Sequence, residues 1–363
     1  MLDTLKTNHG VLKFPVFFPD ATEGVVKSVD SVDLENCKVQ GLVTNAYHLL
    51  RIGLVDKIAE AGGIHKYMNF HKPIISDSGG FQVMSLVRDN NFGEIHDDKI
   101  VFKLNGQKTI LTPEKSIRAQ FKIGSDIIMC LDDCTRYTDS REQQEKAVKR
   151  TIEWARRSKN EFEKLVKNSK SSSKPLIFGI IQGGNNKDLR EYCAKELIKI
   201  GFDGYGFGGW PIDENGNLLK ELIKFVADLI PDNLPKYAMG IGDPRTLVEC
   251  YKMGYDIFDC IVPTREARRQ RIYYFKKNPD KIKNLDEDFY DYFTIKSSKY
   301  SKDMTPVSEY CDCQTCKTYT KAYLHNLFKI KEPLAMRLAT IHNLRFYSKL
   351  MEMLRRFNQN KGN

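Results

Sequence analysis

Three aspartates stand where short apolar runs give way to glycine or cysteine, and carboxylates so placed could do chemistry. They are Asp77, Asp132 and Asp259. Converging carboxylates can divide labour: one attacks an electron-poor carbon, another moves a proton, and a third accepts hydrogen bonds from a ligand. A single aspartate at a strand end is more commonly a helix N-cap. Three of them in such contexts favour a reactive site.

The elements that must position these carboxylates are short apolar runs, most of which end in Gly, Asp, Asn or Gln. There are eight of them: Val16–Phe18, Gly41–Val43, Pro73–Ser76, Asp126–Leu131, Leu176–Ile181, Gly204–Phe207, Tyr237–Gly240 and Ile257–Val262. Amphipathic helical patterns lie between most runs, most clearly over Arg141–Leu165, Leu218–Leu229 and Pro244–Met253. Eight strand-then-helix units predict an α/β fold, and favour a (β/α)8 TIM barrel over a doubly wound open sheet. In a barrel the three aspartates would meet at one mouth.

Two segments interrupt this alternation. Residues 88–112 contain a predicted hairpin, Ile100–Leu104 with Thr109–Leu111, around Asn105-Gly106. Residues 276–310 are charged and aromatic and lead into a cysteine cluster. The sequence therefore predicts a barrel over residues 1–275, with a hairpin insertion near 88–112. Residues 276–363 are expected to form an inserted metal-binding subdomain and the closing C-terminal helices.

Glycines follow three successive runs. They occur in Gln182-Gly183-Gly184, Gly208-Gly209 and Gly240-Ile241-Gly242. Glycines at strand ends let backbone groups approach a flat ligand closely, although tight turns alone would explain one or two of them. Their spacing fits neither a dinucleotide fingerprint nor a phosphate-binding loop, which argues against a nucleotide cofactor.

Three of the nine cysteines crowd together at Cys311, Cys313 and Cys316, and His342 follows in a helical stretch, 335–353. Three thiols and one imidazole suit tetrahedral Zn²⁺ with no open coordination position, which indicates a structural role. His325 is a weaker candidate for the fourth ligand. The odd number of cysteines and their scatter are typical of a reducing compartment rather than of a disulfide framework.

The chain of 363 residues carries a formal net charge of +10, which suggests an anionic partner such as nucleic acid, or simply a basic surface. Arginines follow Asp259 closely in the sequence, and suit contacts to phosphates and base edges; they are Arg265, Arg268, Arg269 and Arg271. Tyr273, Tyr274 and Phe275 could add stacking surfaces. No apolar stretch approaches the roughly 20 residues of a membrane span, and the first ten residues lack a secretory pattern. We therefore expect a cytoplasmic protein.

Taken together, the motifs resemble those of the tRNA-guanine transglycosylases, also called queuine tRNA-ribosyltransferases, from about His9 to Phe357. The motifs are NAYHL at 45–49, DSGGFQ at 77–82, SDIIMCLDDCT at 125–135, IQGG at 181–184, Gly208-Gly209, MGIG at 239–242, FDCIVPTR at 258–265, and CDCQTC at 311–316 with His342. The resemblance implies a (β/α)8 barrel with a zinc subdomain. It also implies an enzyme that exchanges guanine at the anticodon wobble position of G-U-N tRNAs for a 7-deazaguanine.

The resemblance assigns roles to individual residues. It makes Asp259 the nucleophile that holds a covalent RNA intermediate, and Asp77 the general acid/base. It implies that the side chains of Phe81 and Met239 cover the two faces of the base. The residues that it assigns to base binding are Ser78, Phe81, Asp132, Gln182, Gly183, Gly209, Met239 and Gly240. It places Arg265 and Arg268 where the anticodon loop is contacted, and Arg269 beside them is a further candidate for RNA binding.

The chain departs from the usual family pattern at two places, Trp210-Pro211-Ile212-Asp213 and Arg269-Gln270. The first leaves the incoming base open among preQ1, queuine and preQ0. The second leaves open a related enzyme that modifies DNA. A non-catalytic RNA-binding subunit and a nucleoside hydrolase are further alternatives, although the presence of both Asp77 and Asp259 argues against a silent subunit. A homodimer is expected by similarity.

Overall fold

The computed structural model describes residues 2–90, 93–104, 106–136, 138–169, 174–286 and 288–359. Its strands are β1 (Thr4–Thr7), β2 (Gly10–Lys13), β3 (Val16–Pro19), β4 (Leu42–Asn45), β5 (Ile74–Asp77), β6 (Gly93–Ile95), β7 (Ile100–Leu104), β8 (Gln107–Leu111), β9 (Ile127–Met129), β10 (Leu176–Ile181), β11 (Gly204–Phe207), β12 (Lys236–Ala238), β13 (Ile257–Cys260), β14 (Arg271–Phe275) and β15 (Tyr290–Thr294).

The helices alternate with the strands along most of the chain. They are α1 (Ser31–Asn36), α2 (Ala46–Arg51), α3 (Val55–Glu60), α4 (Ile64–Met68), α5 (Gly80–Asn90), α6 (Pro113–Ile123), α7 (Arg141–Asn168), α8 (Lys187–Ile200), α9 (Lys220–Leu229), α10 (Pro244–Lys252), α11 (Val262–Arg268), α12 (Gln314–Thr318), α13 (Lys321–Lys329) and α14 (Leu334–Gln359). Among the helices of the described chain, none combines the length and the apolar character that a membrane span requires.

Eight parallel strands form one sheet in the order β3-β13-β12-β11-β10-β9-β5-β4. The two ends of this order meet through a parallel bridge between Asp20 and Val43, where Ala21 N donates to Val43 O at 2.7 Å. The sheet is therefore a (β/α)8 TIM barrel, and the open-sheet alternative is wrong. Each of the eight predicted apolar runs overlaps one barrel strand.

Alternation along the strands separates two layers of core. In β10, Phe178 and Ile180 join the cluster inside the barrel, whereas Ile177 and Ile181 pack outward with the helices. This period of two is what a strand buried on both faces requires. The antiparallel β1–β2 hairpin adds Leu12 from its second strand to the inner cluster. It thus closes the barrel at the end opposite the strand carboxyl termini.

The predicted insertion is a sheet of three strands, because β6 pairs with β7 and β7 pairs with β8. Its β7 and β8 confirm the predicted hairpin, while the predicted turn residue Asn105 lies outside the described residues. Trp154 of α7 is fully buried beneath this insertion and donates its indole N–H to Asp97 O at 2.7 Å. The insertion is therefore anchored to the outer helices.

The predicted stacking residues Tyr273, Tyr274 and Phe275 lie in β14, which pairs antiparallel with β15. The prediction is wrong for two of them. Tyr273 and Phe275 are buried, and their rings lie 5.5 Å and 4.4 Å from the ring of Phe346 on α14. These aromatic side chains therefore join the region after the barrel to helix α14 and are not free to stack on a base.

Candidate active site

Asp259 lies at the carboxyl end of β13, where its carboxylate is held by two neighbours from the adjacent strand and turn. The hydroxyl of Tyr237 and the backbone N–H of Gly240 both donate to Oδ1, each at 2.8 Å. Burial raises the pKa of Tyr237 well above its ordinary value, so its hydroxyl remains a donor. Both bonds go to one oxygen, which leaves Oδ2 outside this pair of contacts. The pKa of Asp259 is raised to about 6, mainly by burial.

Asp77 ends β5 and faces the same mouth. Asn45 donates from Nδ2 to Asp77 Oδ2 at 2.8 Å and also to Gln82 Oε1 at 2.9 Å. Asn45 is itself fixed as the N-cap of α2, where its Oδ1 accepts from His48 N. Burial and then the charge of Asp259 raise the pKa of Asp77 to about 6. The two carboxyl groups therefore interact electrostatically and are suited to proton transfer near neutral pH.

Asp132 lies in the segment after β9 and is buried. It accepts a hydrogen bond at Oδ2 from Gln182 Nε2 at 2.6 Å. Burial raises the pKa of Asp132 to about 7, with the charge of Asp77 adding to the shift. The Gln182 carbonyl oxygen is buried and accepts no hydrogen bond within the described chain. A buried acceptor of this kind is costly unless a ligand supplies a donor.

The predicted glycine turns follow β10, β11 and β12. Gly183 and Gly209 have positive φ angles of 146° and 90°, and a Cβ on Gly208 would lie 2.5 Å from Gln182 Nε2. Two of the turns are joined by a buried arginine: Arg190 donates to the carbonyls of Ile181, Gly184 and Gly208 at 2.6 to 3.0 Å. These contacts explain why the turns require glycine and how they are held together.

The rim of the mouth is aromatic. Phe81 and Trp210 are 39% and 44% exposed, and their ring centroids lie 5.4 Å apart at 61°. Met239, which follows β12, is half-buried, and a Cβ on Gly206 would lie 2.9 Å from its sulfur. Ser78 is buried, and its hydroxyl accepts from Gly80 N at 3.1 Å. The predicted base-binding residues thus belong to the segments that follow β5, β9, β10, β11 and β12.

The arginine run lies on α11 and at the start of β14, directly after Asp259. Arg265 and Arg268 are half-buried, and Arg269 is exposed. Burial lowers the pKa of Arg268, and its Nη1 is buried without a hydrogen-bond partner in the described chain. The four arginines therefore lie in one short segment after Asp259, and their contact with RNA stays a prediction.

The predicted metal ligands converge. One ligand atom each from Cys311, Cys313, Cys316 and His342 lies within 4.8 Å of all the others. His342 Nδ1 is 3.1 Å from Cys316 Sγ, while its Nε2 is 2.6 Å from the carbonyl oxygen of Tyr273. Donation from Nε2–H leaves Nδ1 free to bind a metal, which is the usual arrangement of a histidine ligand. The donor set and its spacing fit a tetrahedral ion such as Zn²⁺.

The alternative ligand His325 is wrong, because its Nδ1 is 2.8 Å from Ile295 O and it lies outside the cluster. The cysteine loop is anchored to α14 by Arg345, which is buried. Its guanidinium donates to both oxygens of Asp312, at 2.5 and 2.9 Å, and to both oxygens of Glu352, at 2.9 and 3.0 Å. These bidentate pairs fix the loop relative to the helix that carries His342.

Sequence reasoning missed three residues that shape the site: Asn45, Tyr237 and Arg190. Asn45 was part of a quoted motif without a role, although an asparagine directly after a strand and before a helix is a recognisable N-cap signal. Tyr237 stands in an apolar run next to the strand of Asp259, and a tyrosine inside a barrel strand needs a partner for its hydroxyl. Arg190 gave no signal beyond its position in a helical pattern.

Comparison with known proteins agrees with this geometry. The family model of queuine tRNA-ribosyltransferases matches residues 2–359. Queuine tRNA-ribosyltransferases from Halothermothrix orenii and from Caldanaerobacter subterraneus subsp. tengcongensis are each 41% identical to this chain. The alignments cover 98% of the chain and 89% and 88% of the relatives. A relative with the same name from Thermoanaerobacter pseudethanolicus is 39% identical over 98% of the chain and 88% of its own length. The chain therefore belongs to the queuine tRNA-ribosyltransferase family, a family of pentosyltransferases.

Proposed function

We propose that this protein is a tRNA-guanine transglycosylase. It exchanges guanine at the wobble position of tRNAs with G-U-N anticodons, those for Asp, Asn, His and Tyr, for a 7-deazaguanine, either preQ1 or queuine. The observation that carries the proposal is the pair of half-buried carboxylates at one barrel mouth, Asp259 and Asp77, each with a pKa raised to about 6. One of them is oriented by Tyr237 and Gly240, and the other by Asn45.

In the first half-reaction, Asp259 attacks C1′ of the ribose as the carboxylate. The bond from C1′ to guanine N9 breaks, and its electron pair leaves with the base. Asp77 in its protonated form gives its proton to the departing guanine. The raised pKa of Asp77, due to burial and then to the charge of Asp259, favours this protonated form. The product is an ester between Asp259 and the RNA.

In the second half-reaction, the roles of the carboxyl groups reverse. Asp77 takes a proton from the incoming base, whose nitrogen attacks C1′ and breaks the ester bond to Asp259. The electron pair returns to the carboxylate, so atoms and charge balance over the exchange. Water would hydrolyse the ester, and the aromatic rim formed by Phe81 and Trp210 is placed to limit its access.

The base is held by polar groups that the fold leaves available at the mouth. Asp132 and the carbonyl oxygen of Gln182 accept from the amino and ring N–H groups of guanine. The backbone of Gly209 approaches the edge of the base, and Ser78, Gly183 and Gly240 line the turns around it. Phe81 and Met239 cover its two faces. A base in this site must first leave the stack of the anticodon loop, and Arg265, Arg268 and Arg269 would contact the backbone beside it.

We further propose that the cysteine cluster binds one structural Zn²⁺ per chain through Cys311, Cys313, Cys316 and His342. The bound ion would supply folding free energy, because four protein ligands leave no position for a substrate. All nine cysteines are free, which supports a reducing compartment such as the cytoplasm. A homodimer remains a prediction, which light scattering of the purified protein tests.

The first experiment is incorporation of radiolabelled guanine into unmodified tRNA with a G-U-N anticodon, beside an equal mass of duplex DNA. Unlabelled preQ1, queuine and preQ0 compete in separate reactions. Label in tRNA, suppressed by one competitor, would support the proposal and identify the base. Label in DNA alone would replace it with a DNA-modifying relative, and no label in either polynucleotide would contradict it.

The metal is tested separately by elemental analysis of the purified protein. We expect about one zinc per chain, and less in Cys316→Ser, together with a lower melting temperature after treatment with a strong chelator. Cys250→Ser, a substitution of another buried cysteine, serves as the control and should retain the metal. Zinc-free protein with an unchanged melting temperature would contradict a structural zinc site.

A further inference from the structure

Three of the four arginines that follow Asp259 share a buried carboxylate, Glu266 of α11. The Glu266 side chain is 3% exposed, and its Oε1 accepts from Arg265 Nε at 2.8 Å while its Oε2 accepts from Arg271 Nη1 at 2.9 Å. Arg269 Nη1 lies 3.8 Å from Oε1. From sequence this glutamate is indistinguishable from the solvated charges around it. In the structure it is the centre on which three arginines converge.

The burial of Glu266 contrasts with the exposure of its partners. The side chains of Arg265, Arg269 and Arg271 are 41%, 63% and 46% exposed. A buried carboxylate is stable only when paired and hydrogen-bonded, so the three guanidinium groups are drawn to one point. Arg271 is further fixed because its guanidinium lies over the ring of Tyr292, 5.4 Å from the centroid. Each arginine still presents other N–H groups toward solvent.

Ordering of this kind matters for binding an anion. A free arginine side chain loses rotamer entropy when it is immobilised by a ligand, and a side chain that is already ordered loses less. Guanidinium groups held in a fixed array can also donate pairs of hydrogen bonds to phosphate oxygens. The cost is one negative charge in the middle of the array.

We propose that Glu266 is a positioning residue for polynucleotide binding. It orders Arg265, Arg269 and Arg271 into one array whose exposed N–H groups contact backbone phosphates next to the scissile nucleotide. The inference rests on the proposed function, since it requires a polynucleotide substrate. Glu266 acts through the arginines and takes no part in the exchange of the base.

For a variant without the Glu266 charge, the proposal predicts a change in RNA affinity opposite in sign to the change that simple charge counting predicts. Removing the Glu266 charge raises the local positive charge, so unspecific electrostatics predicts tighter binding of RNA. A positioning role predicts weaker binding, because the arginines lose their common anchor. The direction of the change in affinity therefore separates the two explanations.

The experiment compares Glu266→Gln with the wild-type enzyme in guanine exchange on tRNA at several salt concentrations. We expect KM for tRNA to rise about tenfold, kcat to stay within about twofold, and the salt dependence of binding to weaken because fewer phosphates are engaged. Glu161→Gln is the matched control. Glu161 is also a buried glutamate paired with an exposed arginine, Arg118, at 2.6 Å, but it lies on the outer helix α7. It should leave KM unchanged.

An unchanged or lower KM in Glu266→Gln would overturn the proposal, and so would an equal rise in the Glu161→Gln control. Glu266→Asp covers the case in which the first variant fails to fold. It keeps the net charge, but its side chain is one methylene shorter. A positioning role therefore predicts a higher KM for tRNA, whereas charge counting predicts an unchanged KM. A wild-type enzyme without exchange on any polynucleotide would instead refute the proposed function itself.

Discussion

Two barrel strands each carry one aspartate directly before the strand and another at its carboxyl end. Asp126 precedes β9 and Asp132 follows it, while Asp256 precedes β13 and Asp259 lies within its last residues. Asp126, Asp132 and Asp256 are buried and Asp259 is half-buried, yet their titration differs. The pKa of Asp126 is lowered, whereas that of Asp132 and Asp256 is raised to about 7 and that of Asp259 to about 6.

The number of donors explains the difference. Burial alone would raise the pKa of Asp126, but its carboxylate accepts four hydrogen bonds at 2.8 to 2.9 Å. The donors are His65 Nε2, His9 Nδ1 and the backbone N–H groups of His9 and Ile74. Asp256, at the same end of the barrel, accepts one from Lys236 N at 3.0 Å, and burial dominates its pKa. Position in the barrel therefore does not determine the protonation of a carboxylate; its donors do.

The same comparison shows what distinguishes the mouth. The end of a barrel with the strand amino termini serves stability, and the end with the carboxyl termini serves chemistry. At the mouth, each of Asp77, Asp132 and Asp259 accepts fewer hydrogen bonds than Asp126 does, and all three face the same space. Clustered carboxylates with raised pKa values are typical of sites built for proton transfer. A single buried carboxyl group with a raised pKa, such as Asp256, destabilises the fold and has no partner for proton transfer within the described chain.

The largest expected effect is at the mouth. Asp259→Ala should lower guanine exchange by at least about 10³-fold, because the proposed covalent intermediate forms on the carboxylate of Asp259. Binding of tRNA, measured by filter retention, should change by less than about threefold, since the arginine surface is unaltered. Exchange that persists at a tenth of the wild-type rate would assign the nucleophile elsewhere.

The next effect is at the opposite end of β9. Asp126→Asn should lower the free energy of unfolding by about 3 kcal/mol. Each carboxylate oxygen of Asp126 accepts from one backbone N–H, of His9 or of Ile74, so the amide NH₂ of asparagine must face a donor in either orientation. Urea denaturation measures the loss. A variant as stable as the wild type would show that the hydrogen bonds accepted by Asp126 do not contribute to the free energy of unfolding.

These residues also mark how far the sequence could lead. The apolar runs predict the eight strands, because burial on both faces leaves a continuous signal, and the spacing of Cys311, Cys313 and Cys316 predicts the metal cluster. The role of Asp126 could not be predicted, because its donors come from His9 and His65, which are distant in sequence. The same holds for Tyr237 beside Asp259. Glu266 shows the limit most clearly, since burial of one charge among many leaves no local pattern.

The pH dependence of stability follows from the raised pKa values. Between about pH 4 and pH 7 the folded protein binds more protons at Asp77, Asp132, Asp256 and Asp259 than the unfolded chain does, so its stability falls as pH rises through that window. The lowered pKa of Asp126 acts only below about pH 4. We expect the free energy of unfolding to be lower at pH 8 than at pH 5. An increase over this range would contradict the assigned directions.

The smallest effect tests the comparison most directly, because it makes the same substitution at the other strand. Asp256→Asn should raise the free energy of unfolding by about 1 kcal/mol at pH 8, the opposite sign to Asp126→Asn. The asparagine oxygen can still accept from Lys236 N, no charge is buried, and Lys236 Nζ keeps its partner Asp232 at 3.1 Å. The gain should vanish near pH 5, where Asp256 is protonated in the folded protein. Guanine exchange should be unchanged, because Asp256 lies at the end of the barrel away from the mouth. If the variant lost as much stability as Asp126→Asn, the number of hydrogen-bond donors would not explain how the two carboxylates differ in their effect on stability.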